Sequence, residues 1–246
     1  MKIKLSYIVF FCFFITNILF ASEHSVPLYK FSDNYKDKPS LQRGSEIFMR
    51  NCLGCHSLKY LMYKGLAEGI GIINDKNEVD ELYLKNNWFF SDDININDRI
   101  LSPISKQDSL NWFGVLPPDL SLVSRYRGND WIYTYLKSFY EDNNKIWGVN
   151  NLIFPDVAMP HVLNSIQGNQ ILNKKNNSYV LELSKEGSLN SKEYDIVVSD
   201  IVNFLSYVGE PTKEKRESIG VYVLLFLFLF TILSYFLKKE IWKDIK

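Results

Sequence analysis

The chain has 246 residues, 28 lysines and arginines balanced by 28 aspartates and glutamates, and three cysteines. That length supports one core rather than several domains, and an apolar share of 46% is too high for a disordered chain. Three cysteines cannot build a disulfide scaffold, and no basic run interleaved with aromatics marks a nucleic-acid surface.

Met1-Lys2-Ile3-Lys4, an apolar run over 5–20 and Ala21-Ser22-Glu23 supply the three regions of a signal peptide, so residues 1–21 are expected to direct export and be removed. An uncleaved membrane anchor is the alternative, because Leu19 is large for the third position before the cut. A mitochondrial presequence would be Arg-rich, and no arginine precedes Arg43. Residues 22–210 then form the exported body. It is net acidic, because the signal and the C-terminal tail are basic and the whole chain is neutral.

Within that body, residues 40–56 read as a helix with few β-branched residues. The polar, aperiodic stretch 74–105 reads as a long loop or insertion. Pro117-Pro118 stops the chain, and Asp119 is placed to cap a helix starting at Leu120. After a turn at Gly128-Asn129, Asp130 would cap a helix over 131–140. Residues 143–161, stiffened by Pro155 and Pro160, read as loop, and 182–187 as a short strand or hairpin arm. Apolar residues at Ile196, Val197, Ile201, Phe204, Leu205 and Val208 have a helical period over 193–208, ended by Gly209 and Pro211. Residues 211–218 would be a linker. Residues 219–237 carry no charge and no polar stripe, as a membrane-spanning helix requires. The tail 238–246 holds Lys238, Lys239, Lys243 and Lys246, which the positive-inside rule puts in the cytoplasm. The fold is thus expected to be mainly α with one C-terminal transmembrane helix.

Cys52-Leu53-Gly54-Cys55-His56 is the attachment signature of a c-type haem. On a helix the two thiols share one face, from which they can add to the two vinyl groups of a porphyrin, and His56 can reach the iron. A structural zinc site would need about four ligands. Outside the signal the chain offers only Cys52, Cys55, His56, His24 and His161, with no second paired motif. A thioredoxin-like pair would sit between a strand and a helix, whereas the upstream residues read as helix. For the sixth iron position, Met49 and Met62 lie too close to the motif to cross to the opposite haem face. Met159, in the loop Ala158-Met159-Pro160, is the candidate by elimination, with His161 as its rival. Methionine would raise the reduction potential relative to a second histidine.

Several segments together resemble the cytochrome c1 family, the haem subunits of ubiquinol–cytochrome c reductase. They are Arg43-Gly44, Cys52-x-x-Cys-His-Ser57, Lys59-Tyr60-Leu61, Pro117-Pro118-Asp119-Leu120-Ser121, Phe154-Pro155 with Ala158-Met159-Pro160, Asp200-Ile201-Val202-x-Phe204-Leu205, Glu210-Pro211, and a membrane helix followed by Lys238-Lys239. The resemblance spans nearly the whole chain. It implies a class I c-type cytochrome-like haem domain with loop insertions and one covalent haem c. Cys52 and Cys55 would be the thioether residues and His56 and Met159 the iron ligands. Pro118 would pack beside His56, Arg127 would bind a haem propionate with Arg125 close enough to be confused with it, and Trp131 would stand near the haem. Leu58, Tyr207 and His161 depart from the residues usual there (Met, Trp and Pro), which bears on contacts around the site more than on the haem ligands.

The resemblance implies an electron carrier in the bacterial inner membrane, with its haem domain on the periplasmic side and its tail in the cytoplasm. It would take one electron from the Rieske iron–sulfur protein and pass it to a cytochrome c, within a dimeric complex with cytochrome b. The complex is an enzyme, but no substrate bond is made or broken at this haem. One alternative is an independent membrane-tethered cytochrome c serving an oxidase. Another is a haem enzyme or gas sensor with an open sixth site.

Overall fold

The computed structural model describes residues 26–175 and 178–244. The expected signal segment 1–21 with Cys12, together with His24 and Lys246, lies outside the described residues. In chain order the elements are α1 (Lys38–Asn51), β1 (Leu58–Met62), α2 (Tyr63–Ile70), α3 (Glu81–Asn87), β2 (Arg99–Ile100), α4 (Lys106–Phe113), α5 (Val123–Arg127), α6 (Asn129–Lys137), β3 (Phe139–Glu141), β4 (Val149–Asn151), α7 (Asn164–Gln167), β5 (Gly168–Lys175), β6 (Ser178–Glu186), α8 (Ser191–Gly209) and α9 (Lys213–Ile241), with a last 3-10 turn, Trp242–Asp244. The mainly α expectation holds.

Helix α1 starts where the Asp37 carboxylate accepts the Ser40 N–H at 3.2 Å, and Pro39 sits in the first turn, where no N–H is needed. Helix α8 starts with a complete capping box. The Asn190 side chain accepts from the N–H groups of Lys192 and Glu193, and Glu193 accepts from the Asn190 N–H. The two helices cross with Phe48 against Phe204, ring centroids 5.5 Å apart. Contact is close enough that a Cβ on Gly44 would lie 2.1 Å from the Asp200 carbonyl oxygen. Beside the crossing, the buried Asp200 carboxylate accepts from Ser40 Oγ at 2.6 Å, Arg43 Nε at 2.6 Å and Arg43 Nη2 at 2.9 Å. Arg43 keeps half its side chain in water, which lowers the desolvation cost of the pair. Helix α6 completes the core against α8. Tyr133 Oη donates to Asp195 at 3.0 Å, and Tyr194 Oη donates to the Leu136 carbonyl at 2.9 Å.

Among the described residues, three two-stranded antiparallel sheets lie around these helices: β1–β2, β3–β4 and the hairpin β5–β6. The structure corrects several boundaries. The stretch 74–105 contains α3 and β2, pinned by the buried Val79, Leu84, Trp88 and Ile100, and Asp80 caps α3 by accepting the Tyr83 N–H at 2.9 Å. The helix expected from Leu120 begins at Val123 instead, because Asp119 turns its carboxylate to other N–H groups. Asp130 lies inside the first turn of α6 rather than capping it. It holds the N-terminal segment, accepting from Lys30 Nζ and the Phe31 N–H, both at 2.8 Å. That helix ends at Lys137, so residues 139–141 are strand. The hairpin arm expected over 182–187 is part of β6, and its partner β5 was not anticipated.

Residues 213–218 of the expected linker are already helical, so α9 runs 29 residues, about 43 Å at 1.5 Å per residue. That exceeds a hydrocarbon core of about 30 Å. Among the described residues it is the one helix long and apolar enough to cross a membrane. Its first turns are tied to the body that precedes it. Asp33 accepts from Lys213 Nζ at 3.3 Å and Ser206 Oγ at 2.9 Å, and Tyr35 Oη donates to Glu217 at 2.7 Å. Lys213 Nζ lies 4.0 Å from the Tyr35 ring centroid, and Glu210 takes both Arg216 and Arg125.

Candidate functional site

The two-cysteine motif follows α1 as a turn, where a continued helix was expected. Cys52 N–H donates to Phe48 O at 2.8 Å, and the N–H groups of Cys55 and His56 both donate to Cys52 O, at 3.0 and 2.8 Å. Leu53, 1% exposed, roots the turn in the core, while Gly54 faces open space. Cys52 and Cys55 are free and half-buried. Burial pushes the Cys52 thiol up to about 12 and raises that of Cys55, so both are protonated at neutral pH.

Beyond the turn, the segment from Pro118 to Ser121 is strapped along residues 56–60. His56 Nδ1 donates to the Pro118 carbonyl at 2.7 Å. Asp119 accepts from the Lys59 N–H at 2.9 Å, Leu120 N–H donates to Ser57 O at 2.9 Å, and Tyr60 N–H donates to Ser121 Oγ at 3.3 Å. Ser102 braces the other side, donating its N–H to Ser57 Oγ and its hydroxyl to Gly54 O, both at 2.8 Å. The bond to Pro118 puts the imidazole proton on Nδ1 and leaves the Nε2 lone pair for a metal. Burial holds the His56 pKa below its ordinary value, against opposing pulls from Pro118 and Asp119, so the neutral ligand form prevails.

Met159 stands in a second cluster, built on α6 and the 150–161 loop. Tyr135 Oη donates to Met159 Sδ at 3.4 Å. The Tyr135 ring stacks on Trp131, centroids 4.9 Å apart at 12°, and Phe154 packs edge-on to both at 6.2 and 6.3 Å. The Arg127 guanidinium lies 4.8 Å from the Trp131 centroid and 5.8 Å from that of Phe154. Arg125, its rival for a carboxylate, is engaged with Glu210 at 3.5 Å. Asn151 ties the loop to α6, donating to Tyr135 O at 2.8 Å and accepting from the N–H groups of Ile153 and Phe154. His161 stacks on Phe139, centroids 4.8 Å apart and nearly parallel, and burial holds its pKa at about 4. Met49 is buried in the face of α1, and Met62 is exposed on β1 directly after the motif.

Tyr135, Asn151 and the Ser102 brace were not singled out in the sequence, and Phe154 entered only as part of a segment of the resemblance. The loop itself was read from Pro155 and Pro160, and the adjacent Asn150-Asn151, a turn-favouring pair, is the signal that could have drawn attention to Asn151. The departures also find places. Leu58 is fully buried, and Tyr207 lays its ring against α2, where its hydroxyl lies 1.9 Å from the position of a Cβ on Gly69. Two reduced thiols, a neutral imidazole with Nε2 left free, a thioether on a braced loop and an arginine on an aromatic face fit a covalently tethered haem.

A model of the cytochrome c1 family matches residues 29–245. Cytochrome c1 of Allochromatium vinosum is 48% identical over 218 residues, which cover 85% of this chain and 86% of that protein. The ammonia monooxygenase gamma subunit of Nitrosomonas europaea is 40% identical over 225 residues, 92% of each chain. Cytochrome c1 of Rhodospirillum rubrum is 28% identical over 264 aligned residues, 92% of this chain and 91% of the relative.

Proposed function

The chain belongs to the cytochrome c1 family, and from that membership we propose that it carries single electrons from the Rieske iron–sulfur protein to a cytochrome c. It is a membrane-anchored haem subunit of the cytochrome bc1 complex, where it works beside cytochrome b. Bound haem c supplies an iron that cycles between ferric and ferrous by one electron.

Cys52 and Cys55 would hold the porphyrin by thioethers, with His56 and Met159 as the iron ligands. The observation that carries this reading is the bond from His56 Nδ1 to the Pro118 carbonyl, 2.7 Å long and beside two free thiols. Such a bond fixes ring orientation and strengthens the free nitrogen as a ligand. Arg127 would take a propionate bidentately, while its aromatic platform keeps the guanidinium in place. We infer further that the haem domain faces the periplasm, that residues 238–246 are cytoplasmic, and that the complex is dimeric.

Purification from native membranes with a reduced-minus-oxidised spectrum tests this function. A c-type band with a stable co-purifying cytochrome b supports it. A c-type band without that partner would favour an independent tethered cytochrome, and a monooxygenase partner would favour the assembly named for the Nitrosomonas relative. Rapid carbon monoxide binding by the reduced protein would point to an open sixth site.

Truncation after Ser218 removes the apolar part of α9 and keeps the contacts of Asp33, Tyr35 and Glu210 with its first turns. A soluble, coloured and reducible domain is expected in the supernatant after cell fractionation. Persistent sedimentation with membranes would mean that the N-terminal apolar segment is retained as an anchor.

A further inference from the structure

Tyr135 is a buried-edge tyrosine whose hydroxyl is aimed at a sulfur. Its ring is fixed on three sides: stacked on Trp131, edge-on to Phe139 at 5.2 Å and edge-on to Phe154. Its backbone carbonyl is held by the Asn151 side chain. Asn151 also holds the N–H groups of Ile153 and Phe154 in the loop that leads to Met159. The phenol and the thioether therefore stand on one braced unit, and the 3.4 Å contact is set by packing on both sides. A thioether is a weak acceptor, so the contact owes its geometry to the packing rather than to the strength of the bond.

We propose that Tyr135 is a positioning residue that sets the reduction potential of the haem by donating its hydroxyl hydrogen bond to the Met159 sulfur. This deepens the functional reading and rests on Met159 being the axial ligand. A thioether sulfur has two lone pairs, so it can donate one to iron and accept a hydrogen bond at the other. The phenol draws electron density from the sulfur and makes it a poorer donor. Ferric iron, the more electron-poor state, loses more from that than ferrous iron, so the potential is raised. Hydrogen bonding to a ligand is one of the general levers on a haem potential.

The test is Tyr135→Phe in the membrane-purified complex, read by redox titration and by the red-edge absorption band of methionine-ligated ferric haem. The substitution keeps the ring and its stacking and removes only the donor. At a fixed ambient potential the ferric-to-ferrous ratio should rise severalfold, a tenfold rise being 59 mV for one electron. The ferric band should shift, covalent haem should be retained, and carbon monoxide should still fail to bind. Met159→Leu, assayed in parallel, separates the two claims. If it opens the iron to carbon monoxide and lowers the potential while Tyr135→Phe leaves potential and band unchanged, the ligand reading stands and the tyrosine proposal is overturned. If Met159→Leu changes neither, the ligand reading itself fails, and the proposal with it.

Discussion

Replacing Cys52 and Cys55 together by serine is expected to abolish covalent haem retention. Serine keeps nearly the volume of cysteine at these half-buried positions, so the turn after α1 should survive. A hydroxyl lacks the nucleophilic thiolate chemistry of cysteine and forms no thioether. Each single variant should retain one bond and therefore its haem on a denaturing gel, at reduced yield. The double variant should show no haem-stained band, and acid–acetone should extract what it holds by coordination alone. If acid–acetone strips the wild-type protein equally well, the haem is not covalently bound.

Gly44→Ala is expected to destabilise the haem domain by about 1–3 kcal/mol, the usual range for overpacking a core, even after a gain of about 1 kcal/mol from helix propensity. The added Cβ would meet the Asp200 carbonyl oxygen at 2.1 Å, its carbon at 2.7 Å and Phe204 Cβ at 2.7 Å. Those atoms belong to a helix backbone and the root of a buried side chain, so relief requires α1 and α8 to move apart. Their separation would also loosen the bonds from Ser40 and Arg43 to Asp200. Gly65 in α2 has nothing within 4 Å of its Cβ position, so Gly65→Ala should stabilise by about 0.5–1 kcal/mol. For a domain of this size each kcal/mol moves the melting temperature by roughly 2–4 °C. Melting points in the order Gly65→Ala, wild type, Gly44→Ala are expected. Co-melting of Gly44→Ala with the wild type would show that the crossing yields without cost.

Helices α8 and α9 were legible in the sequence because their burial follows one period or one uninterrupted apolar run. The stretch 74–105 was not, since four buried side chains carry its order among many exposed polar ones. Strand β5 reads Gly-Asn-Gln-Ile-Leu-Asn-Lys-Lys, and nothing in it alternates clearly, so only its pairing with β6 reveals it. At the candidate site, the thiols and His56 were legible because contiguous residues carry their chemistry. The role of the 117–121 segment in physical terms was not, because a proline carbonyl is an acceptor that every residue possesses. Asp119 was misplaced as a helix cap because the same carboxylate serves equally well to pin β1 through the Lys59 N–H. Tyr135 and Met159, 24 residues apart, meet only through the fold.

The ties between α9 and the body have a mechanical consequence. Single exposed ion pairs contribute little, but here Asp33, Tyr35 and Glu210 hold Lys213, Glu217 and Arg216 in the first turns of one helix that continues into the apolar run, and Arg125 holds Glu210 in turn. Only Glu210, Pro211 and Thr212 separate α8 from α9. A swivel at the bilayer surface would have to break these contacts together, so the domain rides on its helix as a fixed pier rather than a tethered float. Under the proposed electron-transfer role, any change in the distance to a redox partner would then fall to the partner rather than to a swivel of this domain.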